Sequence, residues 1–203
     1  MATTNAYATL ADLRAELGIT TQTDITDDTR LELALDVASR WIDEMCGWRF
    51  YTTSSDESRY YTAMHASYLD VPEGIITLTT LACDQDGDAT HEETWTVTTD
   101  YYLMPYNAAT DGEPYQRIEV SPTSRYGFPK WKRGVKLTGK FGYAATAPRI
   151  IKRATILKAQ QLFLRKDMPF GVMRASAVGE VSMTIPRDVD IVDMIRRYVR
   201  SVT

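Results

Sequence analysis

The fold is decided by residues 31–46, LELALDVASRWIDEMC, in which apolar side chains recur at intervals of three and four residues. This spacing is typical of one face of an α-helix. Asp27 and Asp28 suit the positive end of a helix dipole, and Gly47 suits a left-handed helix stop. We therefore expect a helix from Asp27–Asp28 to Gly47. Its predicted core-facing stripe consists of Leu31, Ala34, Leu35, Ala38, Trp41, Ile42 and Met45.

A shorter helix is predicted before this segment. Thr9 is a good N-cap, and Asp12 three residues later approximates a capping box. Gly18 supplies a left-handed stop, so the helix should run from about Leu10 to Leu17. A polar loop then leads to the long helix.

Helical periodicity returns near the other end of the chain. Pro148 is well placed in a first turn, and apolar residues at helical spacing follow it as far as Leu164. Residues 168–180 are rich in Met and Gly and predict a flexible connection. A short strand is expected at residues 181–185, and a last helix after Pro186.

Between these ends, residues 51–144 lose the helical period and gain β-branched and aromatic residues. Residues 75–81 and 93–98 flank the turn sequence DQDGD at 84–88, which predicts a β-hairpin. Several short strands at close spacing predict a small antiparallel sheet or a sandwich. The remaining predicted strands are residues 101–104, 115–120 and 134–141.

The order of elements predicts an α+β protein, with helices at both chain ends and an antiparallel β region between them. The expected parts are residues 1–50, 51–146 and 147–203. An apolar share of 44% in 203 residues is enough for a sizeable core. Because no apolar run approaches the ~18 residues of a membrane span, and the N-terminus does not resemble a secretory signal, we expect no membrane partner and no export.

The net charge of −4 is unevenly distributed. Residues 1–46 carry nine acids and three arginines, a net −6, whereas residues 147–203 carry eleven bases and five acids, a net +6. The two ends can pair with each other within one subunit or between neighbouring subunits. They can equally be two solvated faces that happen to be complementary.

The acidic stretch Asp84, Asp86, Gly87 and Asp88 resembles the start of a calcium-binding loop. An EF-hand loop needs glycine at position 6 and a bidentate Glu at position 12. If Asp84 is position 1, Gly87 is position 4 and Trp95 is position 12, so the match fails. Asp and Gly strongly favour turns, and we interpret the stretch as a tight turn without a metal.

The remaining reactive side chains do not form a catalytic pattern. His65 and His91 lie in polar sequence surroundings that predict exposed histidines, and no nucleophile motif accompanies either. Cys46 and Cys83 are far apart in the sequence, and two buried free thiols are favoured over a disulfide. We therefore predict no enzymatic activity and no cofactor.

A loop of interleaved basic and aromatic residues lies between two predicted strands. Such a loop can bind nucleic acid through phosphate contacts and base stacking. It can also pack its aromatic side chains on a neighbouring subunit, which we favour because the chain as a whole is acidic. The residues concerned are Arg125, Tyr126, Phe128, Trp131, Lys132 and Arg133.

Three sequence blocks resemble the head–tail connector family of tailed bacteriophages, the head-completion adaptors. The first is residues 7–50, with YATLADL and LGI followed by ASRWIDEMCGWRF. The second is DYYLMPY at residues 100–106 with Pro114-Tyr115, which is similar to an insertion in longer members. The third is residues 134–171, with VKLTGKFGY, APRIIKRA and PFGV. These are packing and turn motifs that together cover about three-fifths of the chain.

The resemblance implies a helical bundle formed from the N- and C-terminal helices, with the antiparallel β region inserted into it. It also implies a non-enzymatic structural protein of the virion neck, made in the host bacterial cytoplasm. Members of the family form rings, commonly twelvefold in the virion, that dock on the portal and receive a tail or stopper protein. DNA passes through the channel of the ring without sequence-specific binding. The alternatives are another neck or tail-completion protein, or a nucleic-acid-binding module that uses the loop at 125–133.

The resemblance also suggests where contacts lie. Flexible segments can order on a partner, and arginine is favoured at interfaces. The candidate contacts to the portal or to a neighbouring subunit are Met168, Phe170, Met173, Arg174, Arg196, Arg197 and Arg200. The candidate channel-facing acids, which can also be ordinary solvated helix surface, are Asp27, Asp28, Glu32 and Asp36.

Overall fold

The structure, a computed structural model, describes residues 5–19, 27–165 and 189–200. The chain divides into two compact units, which we call the helical unit (the described residues up to Trp48 and from Ala147 onward) and the sheet unit (Arg49–Thr146). The predicted α+β class is confirmed. The elements are α1 Leu10–Glu16, α2 Asp28–Cys46, β1 Glu57–Tyr61, β2 Tyr68–Cys83, β3 Glu93–Trp95, β4 Tyr101–Met104, α3 Ala108–Asp111, β5 Tyr115–Val120, β6 Val135–Phe141, α4 Arg149–Leu164 and α5 Val189–Ile195, followed by a 3₁₀ turn at Arg196–Tyr198.

The sheet unit contains a single six-stranded antiparallel sheet in the order β1-β6-β2-β5-β4, with β3 paired to β2. The strand β2 is long enough to pair with β3, β5 and β6, so it is the central member of the sheet. One sheet, rather than the alternative of a two-sheet sandwich, accounts for all the described strands.

The core of the sheet unit lies against one face of this sheet. Along β6 the burial alternates, with every second residue buried, as expected for a strand that is covered on one side. The buried aromatic rings of Trp95 and Phe128 stack at a centroid distance of 4.8 Å. The other principal core residues are Leu69, Val71, Ile75, Leu81, Ile118, Val135, Leu137 and Phe141.

The predicted hairpin is confirmed, because β2 and β3 pair in antiparallel fashion on either side of the acidic turn. Strands β4 and β5 have the predicted bounds, and β6 begins one residue later than predicted. Strand β1, the helical turn α3 and the first half of β2 were not predicted. In β2 the sequence LDVPEG contains Pro72 and Gly74, both poor strand formers, and the register with β5 shifts between Asp70 and Ile75.

In the helical unit, α2 packs against α4, α1 packs against both of these helices, and α5 packs against α4. The helix predicted near the end of the chain is confirmed as α5. The strand predicted at residues 181–185 lies outside the described residues. Pro148 is the N-cap of α4, one residue before the predicted first-turn position. No described helix combines the length and the apolar character that crossing a membrane requires. The main core cluster of the helical unit is formed by Ala8, Leu13, Leu31, Ala34, Leu35, Ala38, Ile156 and Ala159.

The buried stripe of α2 is narrower than predicted. Ala38, Ile42 and Cys46 follow one another at four-residue spacing on the covered face. Trp41 is only half-buried and Met45 is 39% exposed, so the prediction that these two residues belong to the core is wrong. Both precede a core position by one residue, which turns them about 100° away from it around the helix.

The capping box of α1 is confirmed. The Oγ1 of Thr9 accepts a hydrogen bond from the N–H of Asp12 at 3.2 Å, and the Asp12 carboxylate accepts one from the N–H of Thr9 at 2.9 Å. The same carboxylate lies 2.9 Å from the Nζ of Lys152 in α4. Partial burial raises the pKa of Asp12, but the hydrogen bonds from Thr9 and Lys152 and the Lys152 charge outweigh it and lower this pKa from 3.8 to about 2.

We predict that Gly139→Ala destabilises the sheet unit. A Cβ at this position in β6 would lie 2.2 Å from the carbonyl oxygen of Thr77 and 3.0 Å from the Cα of Leu78. Backbone in a central strand must then shift, which should lower the free energy of unfolding by about 1–3 kcal/mol. Urea unfolding measures the change. Gly127→Ala is the matched control, since its Cβ would meet Ala66 at ordinary contact distances of 3.4 and 3.6 Å. Equal stability of the two variants would contradict the close approach of β2 and β6.

We predict that Asp12→Asn lowers the free energy of unfolding by about 0.5–1 kcal/mol at pH 7, the usual range for loss of a cap and a surface ion pair. Because the folded-state pKa is lowered, the carboxylate stabilises the fold above pH 4, and this contribution disappears as the pH falls from about 4 towards 2. Urea unfolding at pH 7, 4 and 3 should show the gap between variant and wild type closing. Asp193→Asn, an exposed acid in α5, serves as the control and should show no such trend.

Candidate assembly surfaces

The basic C-terminal end of the helical unit lies on the 3₁₀ turn. Ile195 and Tyr198 are buried and anchor this turn, whereas Arg196 and Arg197 are exposed. Arg200 is partly buried: its N–H donates to the carbonyl of Cys46 at 2.9 Å, and its guanidinium lies 5.3 Å from the centroid of the Trp48 ring. Two of the three predicted arginines are therefore presented to solvent, and the third packs on its own unit.

The other four candidate contacts, Met168, Phe170, Met173 and Arg174, lie outside the described residues. The described part of this surface is therefore the 3₁₀ turn, which lies beside Cys46 at the end of α2. Leu164 and Arg165, the last described residues before residue 168, are both exposed, but the end of α4 lies beside Leu33 near the start of α2.

The four candidate channel-facing acids differ in their surroundings. Asp28 accepts a hydrogen bond from the Nε of Arg14 at 2.9 Å, and Asp27 lies 3.4 Å from the guanidinium of Arg30. Glu32 and Asp36 are partly exposed on α2. All four acids therefore lie at the surface, with part of each side chain accessible to solvent.

Part of the opposite charge of the two chain ends is paired within the subunit. The Arg153 guanidinium of α4 donates to the Glu16 carboxylate of α1 at 3.0 Å, and this hydrogen bond lowers the pKa of Glu16. Lys152 pairs with Asp12 in the same way, one turn earlier in α1. The arrangement within one subunit is therefore confirmed for these pairs, and Arg196 and Arg197 are separate from it.

The basic and aromatic loop folds largely onto its own sheet. Phe128 is buried, and the Tyr126 ring stacks on Trp95 at 5.6 Å while its hydroxyl donates to Glu93 at 3.0 Å. The loop therefore inserts its first aromatic residues into the core of its own unit, where Phe128 cannot stack on a base or on a neighbouring subunit.

The second half of this loop is more exposed. Trp131 is 46% exposed and donates from Nε1 to the carbonyl of Asp84 at 2.9 Å. The Arg133 guanidinium lies 4.4 Å from the centroid of the Tyr60 ring, and Lys132 is exposed. Arg125, before the buried aromatics, lies over Tyr126 at 4.9 Å. The exposed charges are thus spread over the loop rather than gathered around one stacking platform.

The acidic stretch is a turn, as predicted. Both carboxylate oxygens of the buried Asp84 accept backbone hydrogen bonds, from Gly87 at 2.6 Å and from Ala89 at 3.0 Å. Asp88 accepts one from the N–H of Thr90 at 2.7 Å. The carboxylates of Asp84, Asp86 and Asp88 lie within 4.8 Å of one another, and the turn amides account for the inward orientation of Asp84.

The histidines and cysteines are held in place by ring stacking, a hydrogen bond or burial. His65 is exposed and stacks on Tyr68, whereas His91, predicted to be exposed, is partly buried with its Nε2 at 2.9 Å from the carbonyl oxygen of Arg133. Cys46 and Cys83 are free and buried, as predicted. Burial, with a smaller effect of a neighbouring carboxylate, raises the pKa of each thiol to about 12, so neither is a thiolate at neutral pH.

An exposed apolar stripe on α2 was missed at the sequence level. Leu33 is 64% exposed and Val37 is 47% exposed, and Trp41 continues the line one turn further on. We call these three residues the outer stripe of α2. Beside it a groove of about 260 Å³ is lined by Leu33 and Val37 of the outer stripe and by Leu162 and Phe163 of α4. The spacing of four residues was visible in the sequence, but the stronger inner stripe of the same helix concealed it.

Solved structures with the same fold come from the neck of a phage-like particle. A chain from the neck of an empty gene transfer agent (GTA) particle, reconstructed with C6 symmetry, matches with a TM-score of 0.60 and 16% identity. A chain from the neck of the native particle, reconstructed with C12 symmetry, matches with a TM-score of 0.56 and 18% identity. A chain from the virion of the native particle matches with a TM-score of 0.57 and 19% identity.

Each of these matches covers 100% of this chain and 94% of the other chain. The likeness to the head–tail connector family is therefore confirmed at the level of the fold. No protein-family model matches the sequence, and no curated protein matches it.

We predict that Phe128→Ala lowers the free energy of unfolding by about 3–5 kcal/mol, because it removes a buried ring from the stack with Trp95. Lys132→Ala, four residues further along the same loop and exposed, should change it by less than about 0.5 kcal/mol. Thermal unfolding of the two variants makes the comparison. A Phe128→Ala variant as stable as the wild type would show that this loop is not part of the core.

Proposed function

We propose that the protein is a non-enzymatic structural component of the virion neck, a head–tail connector subunit that forms a ring below the portal. The observation that carries the proposal is the fold likeness, which spans the whole chain and involves chains from symmetric neck assemblies. In this proposal about twelve copies surround a channel through which DNA passes, and a tail or stopper protein attaches below.

The helices of both chain ends form the bundle of the connector, and the sheet unit is the elaboration inserted into it. The packing of α2 on α4, of α1 on both helices and of α5 on α4 supports this arrangement. A ring built from identical subunits needs two different patches that meet head to tail. The bundle offers such patches, because the basic 3₁₀ turn and the acidic side chains of α2 belong to the same unit.

The contact to the portal or to the next subunit is made by Arg196, Arg197 and Arg200, together with residues 168–174. Arg196 and Arg197 are exposed and can pair with carboxylates of a partner through their planar guanidinium groups. Arg200 holds the turn on the unit through its hydrogen bond to Cys46 and its contact with Trp48. We therefore assign partner binding mainly to the first two arginines.

The channel wall is acidic in this proposal. Carboxylates repel phosphates at close range, which lets DNA slide without adhering. The four candidates for this wall are Asp27, Asp28, Glu32 and Asp36, each of them partly accessible to solvent. The virion neck is the corresponding location of the assembled protein.

Two alternative functions would use different contacts from those of a connector. A different neck or tail-completion protein would share the fold but would not dock on the portal. A nucleic-acid-binding module would use the loop at residues 125–133, whose exposed members are Arg125, Trp131, Lys132 and Arg133. Because Phe128 and Tyr126 pack on their own sheet, base stacking would depend on Trp131 alone within this loop.

The triple variant Arg196→Glu, Arg197→Glu and Arg200→Glu tests the proposal. We expect loss of assembly with portal rings, measured as co-migration in size-exclusion chromatography, because six units of charge change on the contact surface. The double variant Arg196→Glu and Arg197→Glu should show the same loss with less risk to folding. Lys130→Glu, Lys132→Glu and Arg133→Glu, with the same charge change in the loop, is the matched control and should assemble normally. Normal assembly of the arginine variants would contradict the proposed contact.

Affinity for DNA separates the connector from the nucleic-acid-binding module. We expect a Kd for DNA of about 10⁻⁴ M or weaker at physiological salt, which is the weak end of the range for non-specific binding. Fluorescence anisotropy with double- and single-stranded oligonucleotides at several salt concentrations measures it. Tight, steeply salt-dependent binding that the loop variant abolishes would favour the module over the connector.

A further inference from the structure

The outer stripe of α2 is part of a symmetric pattern. Leu33, Val37 and Trp41 are flanked by Arg30 on one side and Glu44 on the other, so the five residues are separated by three, four, four and three positions. At about 100° per residue, all five fall on one face of the helix. They line two adjoining concavities that share Val37. The spacing of the five residues is the same from either end of the helix, and the two end residues carry opposite charges.

This pattern is complementary to itself when two helices run antiparallel. We propose that free subunits form a two-fold dimer in which the α2 helices of two copies pair about Val37. Leu33 of each copy then lies against Trp41 of the other, and Val37 meets Val37. Arg30 of each copy faces Glu44 of the other, so both ends of the contact carry an ion pair. Parallel pairing would instead place like charges together at both ends.

Side chains spaced four residues apart form ridges, and the ridges of two helices can interdigitate. The outer stripe is such a row, and its side chains are already exposed, Leu33 at 64% and Val37 at 47%. Antiparallel helices also place opposite dipole ends side by side. A two-fold contact needs the same patch on both copies, which is the property of this stripe.

The charges of the rim favour a second copy of the chain over other partners. Asp36 and Arg40 lie on the same face and line the same concavity as Glu44. In the antiparallel pair Asp36 of one copy approaches Arg40 of the other, which adds a second set of opposite charges. A rim of alternating sign would repel any polyanion at half of its positions, and the exposed acids oppose binding to an anionic membrane surface.

The charged groups at the two ends of the contact, Arg30 and Glu44, can pair with a second copy. Arg30 lies 3.4 Å from Asp27 in an exposed pair of the three-residue type, which contributes little. Arg40 lies 3.2 Å from the largely buried Asp43 and donates to the carbonyl of Asn5 at 3.0 Å. Glu44 is exposed and has no ion pair among the described residues. It also lies in the last turn of α2, where a carboxylate faces the negative end of the dipole and a cation from the second copy relieves the repulsion.

The dimer is distinct from the ring contact. A two-fold contact uses one patch on both partners, so it closes after two copies and does not extend into a ring. From Arg30 to Glu44 the contact is about 21 Å long, at 1.5 Å per residue, which is small and suits reversible pairing. The dimer therefore covers the outer stripe while subunits are free, and it dissociates as the ring forms.

Sedimentation velocity over a range of concentrations tests the dimer. We expect a reversible monomer–dimer equilibrium for the wild type. Arg30→Glu and Glu44→Arg should each raise the dimer Kd at least tenfold, because each places like charges opposite one another twice. The double variant, whose charges are again complementary, should return to within about threefold of the wild type. Both changes suit the helix dipole, so the variants should fold. Asp193→Arg, an exposed acid outside α2, is the control and should leave the Kd unchanged.

A mixture of the two single variants gives an independent readout. Arg30→Glu chains carry only acids at the ends of the stripe and Glu44→Arg chains carry only arginines, so a 1:1 mixture should form dimers although neither variant does alone. The mass should stop at two subunits. Growth of the mixture beyond two subunits would overturn the two-fold geometry in favour of a head-to-tail contact.

Other results would also overturn the proposal. These are a wild type that stays monomeric at every concentration, single variants that dimerise as well as the wild type, and a double variant that fails to recover. Val37→Asp, which places two carboxylates on the two-fold axis, must abolish the dimer as well. None of these results bears on assembly with the portal, whose failure would contradict the proposed ring instead.

Discussion

The packing of α2 on α4 is the contact on which the rest of the structure depends. It joins residues more than a hundred positions apart, since Leu35 and Ala38 meet the same core as Ile156 and Ala159. Burying these side chains ties both chain ends into one unit and leaves Arg49–Thr146 as an insertion with its own sheet and core. The ion pairs between α1 and α4 lie at the edge of this core and contribute less than the apolar contact that brings them together.

One helix, α2, therefore has two functions. Its inner face is committed to the core, and its outer face carries exposed apolar side chains that a free subunit must keep from non-specific association. The basic 3₁₀ turn is a second exposed surface of the same unit, held in place by the buried Ile195 and Tyr198. A subunit that assembles with copies of itself and with another ring needs several such surfaces, and in this chain they differ in chemistry.

The sequence predicted the elements whose signals are local. Periodicity and caps gave α1 and α2, and the DQDGD turn gave the hairpin of β2 and β3 with the right partner. Signals that depend on tertiary contacts were missed. The first half of β2 contains Pro72 and Gly74 and is a strand because β5 pairs with it, and Trp41 was placed in the core because an apolar side chain alone does not reveal which face is covered. The burial of Phe128 in the loop at 125–133 was missed for the same reason, because no local sequence signal marks this residue as part of the core.

The proposed function requires this chain to form a ring of the neck type. Multi-angle light scattering of the purified protein, alone and after mixing with portal rings, tests this requirement. We expect a discrete species of about twelve subunits, either from the protein alone at sufficient concentration or assembled on the portal. A protein that remains monomeric or dimeric under both conditions, at low and at high salt, would contradict it.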